Sequence, residues 1–553
     1  PTTQTLRSWT ESTVAPIKVS GKRRASLIRF GKEDKVEALD AQDKVVSTQQ
    51  YLYDGLGNCV EQIDEMGEST RFEFDLFARL HTTTLPDYTK VRRLYAEHSG
   101  GELPIDLQVL VNEDAVSVGT QTFDGLERRT TLKVGPRLQS FEYKDGQSQV
   151  STAITASGKK ITYEYTPGLV GTPVGSIAPD EQSSFNYDPQ SAQLTLSQNT
   201  QGELSFNYNN SGQLLKELWK DERTGKHWES RYTYTLTGRP LTRLDVDGLT
   251  CTYAYDEKAR LKSVTQGQLV ATFDYDDLGR VCKTTTSNTY SKQAMTTTLA
   301  FDDQGREVCR TMALDGHPEQ TITLAYRDDS KLQVRHLQVD GVTELHETFG
   351  YDQRGRMVAY NCEGPARPRD RYNNAIQEQL FDFDALDNVI GVYTLFADGT
   401  RDDAISYFAA DDPCQLVEVT HSHAHYPTSC KLDYDDDGNL LHDENGQTLH
   451  YDSQGRLLRV TDSSGKDVSQ YRYDAHNHLL GVTRGAQAET LRFYQDDRLS
   501  RTEQGNRKID YLYLDDQPLG QQEQSAPEQA LLLMTDVKNS VLAEGGRDGL
   551  QKA

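Results

Sequence analysis

The sequence predicts an all-β protein: repeated β-hairpins coiled into a large spiral sheet that forms part or all of a hollow, cocoon-like shell. Three observations predict it. A short motif recurs, as YDGLGN from Tyr53, YDDLGR from Tyr275, FDDQGR from Phe301, YDQRGR from Tyr351, YDDDGN from Tyr434 and YDSQGRLL from Tyr451. An interval of about 20–25 residues marks a repeat architecture. Between motifs Thr, Val and Tyr dominate, as strands prefer, and helical periodicity is nearly absent. Finally, only 35% of the 553 residues are hydrophobic and mean hydropathy is −0.70, yet there are 29 Tyr and 16 Phe. Disordered chains are poor in aromatics, so the composition reads as a thin ordered wall with two wet faces. Tyr over Phe suits half-buried positions where the hydroxyl stays wet.

Net charge −25 and a pI near 5.0 exclude phosphate-backbone binding, which needs clustered Lys and Arg. The excess reads as a solvated surface, and it also suits a basic cargo. Seven scattered Cys without C-x-x-C are neither a disulfide framework nor a zinc ribbon, and imply synthesis in a reducing cytosol. No apolar run approaches the ~18 residues of a membrane span, and no signal-peptide pattern opens the chain. The chain starts at Pro1 without Met, the expectation for a fragment or a processed product.

In order, residues 1–45 read as an N-terminal arm or first strands, with a basic stretch at Lys18–Lys32; 46–361 as repeats; 362–382 as an interruption; 383–500 as repeats again; and 501–553 as final strands. From Tyr53 to Phe74 is 21 residues, enough for two strands of about six to eight residues and two turns. Each unit is therefore a hairpin, with a second turn such as Glu65–Glu68 between the aromatic ones. Asp145-Gly146 and Ser157-Gly158 are further turn candidates. Pro167–Pro179 reads as a long irregular loop, and Ala375–Asp384 as a short helix or a strand.

The motif assigns structural roles. Tyr53, Tyr275, Tyr351 and Tyr451 are expected to pack on the aromatic of the adjacent hairpin. Asp54, Asp276, Asp352 and Asp452 cap the turn, and Gly57, Gly279, Gly355 and Gly455 supply its positive φ. Arg280, Arg306, Arg356 and Arg456 are placed to reach a turn Asp of the same or next unit, a pairing worth roughly 0–1 kcal/mol on a surface. Stacked hairpins remove exposed edges, and the fixed twist of a sheet makes a long ribbon coil.

Repeats of this form and spacing resemble the YD repeats of the Rhs family: bacterial polymorphic toxins, the B and C components of insecticidal toxin complexes, and the teneurins. The resemblance covers roughly Gln49 to Gly546. Thr394–Thr400, Asp411–Pro427 and Leu531–Glu544 are similar to bacterial members rather than teneurins. It implies a β-cocoon around a toxic polypeptide carried C-terminally on the same chain. The implied partners are further shell segments or a partner shell subunit, and a secretion-system spike (type VI secretion) or chaperone. It also implies synthesis in a bacterial cytoplasm followed by secretion, with a role in bacterial competition. The family's self-cleaving core, a D-P-x-G-L-type segment, finds no counterpart in AEGGRDGLQKA, so no catalytic residue is carried over. Enzyme activity is expected only beyond Ala553, and no cofactor is expected.

Two patterns suggest metal chemistry. Asp433, Asp435, Asp437, Gly438 and Glu444 fit the calcium-loop spacing D-x-D-x-D-G-x5-E, but flanking helices are missing and the repeat explains the Asp and Gly alone. His421, His423 and His425 alternate, which on a strand puts three imidazoles on one face. No G-x-S-x-G, Walker or H-E-x-x-H motif is present. The alternative to a toxin shell is a surface adhesion or carbohydrate-binding module with Tyr rings facing solvent in a row.

Overall fold

The computed structural model describes residues 2–5, 21–28, 31–111, 113–169, 171–246, 248–495, 497–546 and 549–552. Among these, every regular element is a β-strand, 47 in all. They form a sheet of 36 strands and a second of 11. Within each, every strand pairs antiparallel with its neighbours in sequence, so both are uninterrupted meanders. Between the sheets, isolated bridges Tyr434–Leu440 and His442–Thr448 carry the hairpin pattern across.

The turns explain the winding. Asp54 N–H donates to Asn58 O and Gly57 N–H to Asp54 O, with Gly57 at φ 85°. The register then slips by one residue between Leu52 and Tyr53. The same slip recurs before Phe74, Phe123, Tyr143, Tyr275, Phe301, Tyr351 and Tyr451. A bulge bends its strand and increases local right-handed twist, so one bulge per unit turns a flat ribbon into a coil.

Several expectations need amending. Pro167–Pro179 contains the strand Pro173–Ile177, which pairs on both sides. Ile376–Phe383 is a strand, not a helix. Of Lys18–Lys32, residues 18–20 and 29–30 lie outside the described residues, while Lys22–Leu27 pairs with Thr2–Thr5 and Glu33–Leu39. Between Glu363 and Ile376 the chain leaves the ladder, held by the bridge Arg369–Ala375.

The wall is thin. Solvent reaches 30228 Å² of surface, whereas a compact monomer of 62.3 kDa exposes roughly 20,000 Å². Among the described residues before Trp219, only Ala25, Val36, Leu39, Ala96, Val109 and Ile161 are buried apolar side chains. The main core lies elsewhere. Val264, Leu269, Ala271, Phe273, Met295, Met312 and Leu314 cluster with Leu512, Leu519, Leu532, Met534 and Ala543. The last strands of the chain are thus laid as a second layer over strands near its middle.

Candidate functional site at the coil seam

One repeat unit is held to the next by a three-part tie. Asp276 Oδ1 accepts the backbone N–H groups of Leu278 and Arg280, and its Oδ2 accepts Arg280 Nε at 2.7 Å. Burial opposes ionisation of Asp276, but the Arg280 backbone and guanidinium hold its pKa below the ordinary carboxylate range. The guanidinium of Arg280 then lies 4.2 Å from the ring of Phe301 in the next unit. Arg306 covers Tyr326, Arg356 covers Phe383 and Arg456 covers Tyr473 in the same way.

The hydroxyl completes the tie. Tyr275 donates to Leu261 O, Tyr326 to Glu307 O, Tyr351 to Leu332 O and Tyr473 to Leu457 O, each the first strand residue after the previous turn. At Tyr275 and Tyr351 the expected aromatic partner is replaced by an Arg of the preceding unit, Arg260 and Arg327, and at Tyr53 by Lys32. A planar cation that already pairs with Asp can still stack on a ring face.

A second set of contacts joins residues 251 to 280 apart in sequence. Asp303 accepts Ala41 N–H and Gln304 donates to Leu39 O. Arg354 reaches Asp87, and Arg137 meets Asp412 at 2.5 Å. Asp437 accepts Ser157 N–H at 2.8 Å, Ser157 Oγ at 2.6 Å and Lys159 Nζ at 3.1 Å. Ser453 N–H donates to Asp180, and His476 bonds Ser197. The pattern is regular: the tips of the YD turns in the later coil dock on the opposite turns of the earlier one. The separation is the length of one circuit, so the chain winds round twice.

This seam takes the residues with metal-like spacing. Asp435 caps its own turn through Asp437 N–H and Asn439 N–H. Asp437 belongs to the seam; burial would raise its pKa, but the Ser157, Thr155 and Lys159 hydrogen bonds lower it to about 2. Asp433 pairs with His442, and Glu444 with Arg371. The four carboxylates are thus engaged separately. The three histidines lie beyond the strand Leu416–Thr420, in a loop rather than on one strand face. Buried Asp402 bends the chain there by accepting the N–H groups of Ser422 and His423, and it also bonds His421 Nδ1 at 2.7 Å. His421 stacks on Tyr426 at 4.6 Å, while His423 packs against Phe396 and His425. Among the described residues, no group of three or more His, Cys, Asp or Glu converges on a metal position.

The motif reading missed two features. One is the docking role of the variable positions after Asp in the YD turns of the later coil. The other is a buried ionic cluster of Arg243, Asp245, Arg501, Glu503 and Asp510. No pattern in the sequence joins these five.

Bulged hairpins tied tip to tip and wound on themselves define a repeat shell. Residues 281–549, just under half of the chain, match the family model described as Teneurin YD-shell. Among solved structures the chain is similar to the TcdB2-TccC3 crystal structure without its hypervariable C-terminal region, with a TM-score of 0.62, 12% identity and coverage of 97% of this chain and 32% of that one. It is also similar to TcdB2-TccC3-TEV, with a TM-score of 0.60, 10% identity and coverage of 96% and 32%. The Photorhabdus luminescens Tc holotoxin pore matches with a TM-score of 0.58, 12% identity and coverage of 97% and 32%. The chain thus spans about a third of the length of these structures. No curated protein matches the sequence.

Proposed function

We propose that this chain is wall material of an Rhs-type secreted toxin, enclosing a toxic polypeptide carried C-terminally on the same chain until delivery. Its contribution is mechanical, not enzymatic. The observation that carries the reading is the exposed surface, half again that expected of a compact monomer of this mass. So large a surface suits a doubly wound sheet whose thin regions are wet on both faces, the inner face lining a space.

The free rim supports further shell partners. In the later coil, YD-turn tips dock through polar residues such as Gln304, Arg354 and Ser453. Four turns of the earlier coil instead present exposed apolar side chains at their tips, Leu56, Leu76 with Phe77, Leu126 and Leu236, with Leu76 and Leu236 fully exposed. A row of such tips on a docking edge suits another shell segment. The adhesion reading requires Tyr faces open to solvent in a row, whereas several repeat rings, Tyr275, Tyr326 and Tyr473 among them, have an Arg laid over them. The seven cysteines are free, in keeping with synthesis in a reducing cytosol before secretion.

Protease protection tests the proposal. An unstructured reporter segment fused behind residue 553 should be cleaved far more slowly than the same segment fused to a compact carrier. Equal cleavage rates would refute enclosure.

A further inference from the structure

The layer that closes over the middle strands contains five charged side chains with little access to water. Arg501 and Asp510 are 0% exposed, and Arg243, Asp245 and Glu503 are nearly so. Arg243 and Asp245 come from the earlier coil; the other three come from the adjacent C-terminal strands Arg498–Gln504 and Arg507–Leu514. Two guanidiniums thus face three carboxylates. The pairs are long: Arg501 to Asp510 is 3.5 Å, Arg501 to Glu503 is 3.8 Å and Arg243 to Asp245 is 3.5 Å. Trp228 Nε1 donates to Glu503 at 3.4 Å and Gln524 Nε2 to Asp510 at 3.1 Å. Around Arg243, the phenols of Tyr232 and Tyr253 and the thiol of Cys251 complete the surroundings. Arg501 also lies over the ring of Phe493. Within this buried cluster the carboxylates outnumber the guanidiniums by one, so one negative charge is in excess.

We propose that this cluster is an acid-tightened latch: the C-terminal layer seats more firmly on the earlier coil in mildly acidic solution than in neutral solution. The proton that balances the cluster goes to Asp510. Burial raises its pKa to about 6, and the Asp245 charge adds to the rise, against Arg501, Gln524 and Arg243. A carboxyl with a folded pKa above its unfolded value holds a proton more tightly when folded. Its contribution is therefore fullest below the ordinary carboxylate range and shrinks as pH rises towards about 6. From pH 5 to pH 7.5 the closing equilibrium should weaken about tenfold. On the shell reading, acid holds the layer shut and neutrality relaxes it. The latch concerns this layer alone, so its failure would leave the enclosing role standing.

The test is urea unfolding of the full chain at pH 5 and pH 7.5, followed by tryptophan fluorescence. Trp219 and Trp228 stack at the seam and report on it. The folding constant of the native protein should change about tenfold more between the two pH values than that of Asp510→Asn. His478, whose bond to Asp474 raises its pKa to about 9, titrates equally in both proteins and cancels. An unchanged pH step in Asp510→Asn would overturn the latch. Amide exchange across Gln517–Glu523 and Val541–Gly546 in the unsubstituted protein, corrected for intrinsic rates, gives an independent reading. Opening there should be about tenfold rarer at pH 5, and equal or more frequent opening would overturn it too.

Discussion

Residues 33–218 and the double layer made by residues 250–324 with 507–546 share a hairpin construction but are held together by different forces. The first region buries almost no apolar side chains and relies on Asp caps, Arg–ring contacts and Tyr hydroxyl ties, with the seam along its edge. In the second, Leu269, Met312 and Met534 are fully buried in a shared core. A ribbon one sheet thick cannot bury both faces, so its order is set by short-range polar ties repeated unit by unit. Only where the chain returns over itself does the hydrophobic effect dominate.

The sharpest way to break this contrast is truncation. Met312→Ala or Met534→Ala should cost about 2–5 kcal/mol in chemical denaturation. Val91→Ala, on the half-buried strand Lys90–Tyr95, should cost about 1 kcal/mol or less. Equal costs would dissolve the distinction. Next in size is the seam. Asp437→Ala should cost about 1–3 kcal/mol, because it leaves Ser157 and Lys159 without their shared acceptor. With its folded pKa at about 2, Asp437 stabilises the coil above the ordinary carboxylate pKa, and this contribution disappears as pH falls towards 2. An acid titration of native protein and Asp437→Asn should diverge only in that window.

A smaller effect sharpens the comparison from the other side. Tyr95→Phe in the thin region and Tyr351→Phe in the later coil remove the same tie, to Leu80 O and Leu332 O. Both should cost about 0.5–1.5 kcal/mol, and thermal melts of the pair should agree. Smallest of all, Leu126→Ser at the bare rim should change stability by no more than about 0.5 kcal/mol. A larger loss would mean that the tip is already packed.

The local part of this architecture was legible because the unit is local. Tyr, Asp, Gly and Arg lie within six residues, and each acts on the turn that contains it. Ala78, Ala259 and Asn477 hold the left-handed position that Gly takes in other units, since the Asp cap fixes the turn whatever residue occupies that position. Longer-range partners were hidden. Arg280 shares itself between Asp276 and a ring 21 residues on, which a surface-pair reading misses. The seam depends on the length of one circuit, a global property that no motif encodes, so Asp437 read as part of an acidic repeat turn with calcium-loop spacing, and its docking role was not legible. The alternating histidines failed as a strand because Asp402, far from them in sequence, bends the chain. The core was masked by its composition: its residues are spread thinly through polar strands until the chain folds back.

Small-angle scattering tests the central claim, a thin wall around a space. A compact globule of 553 residues has a radius of gyration of about 24 Å. The wound wall should give a clearly larger value, with pair distances weighted towards the particle's full width. A radius at or below that of the globule, with the distance distribution of a filled sphere, would contradict it.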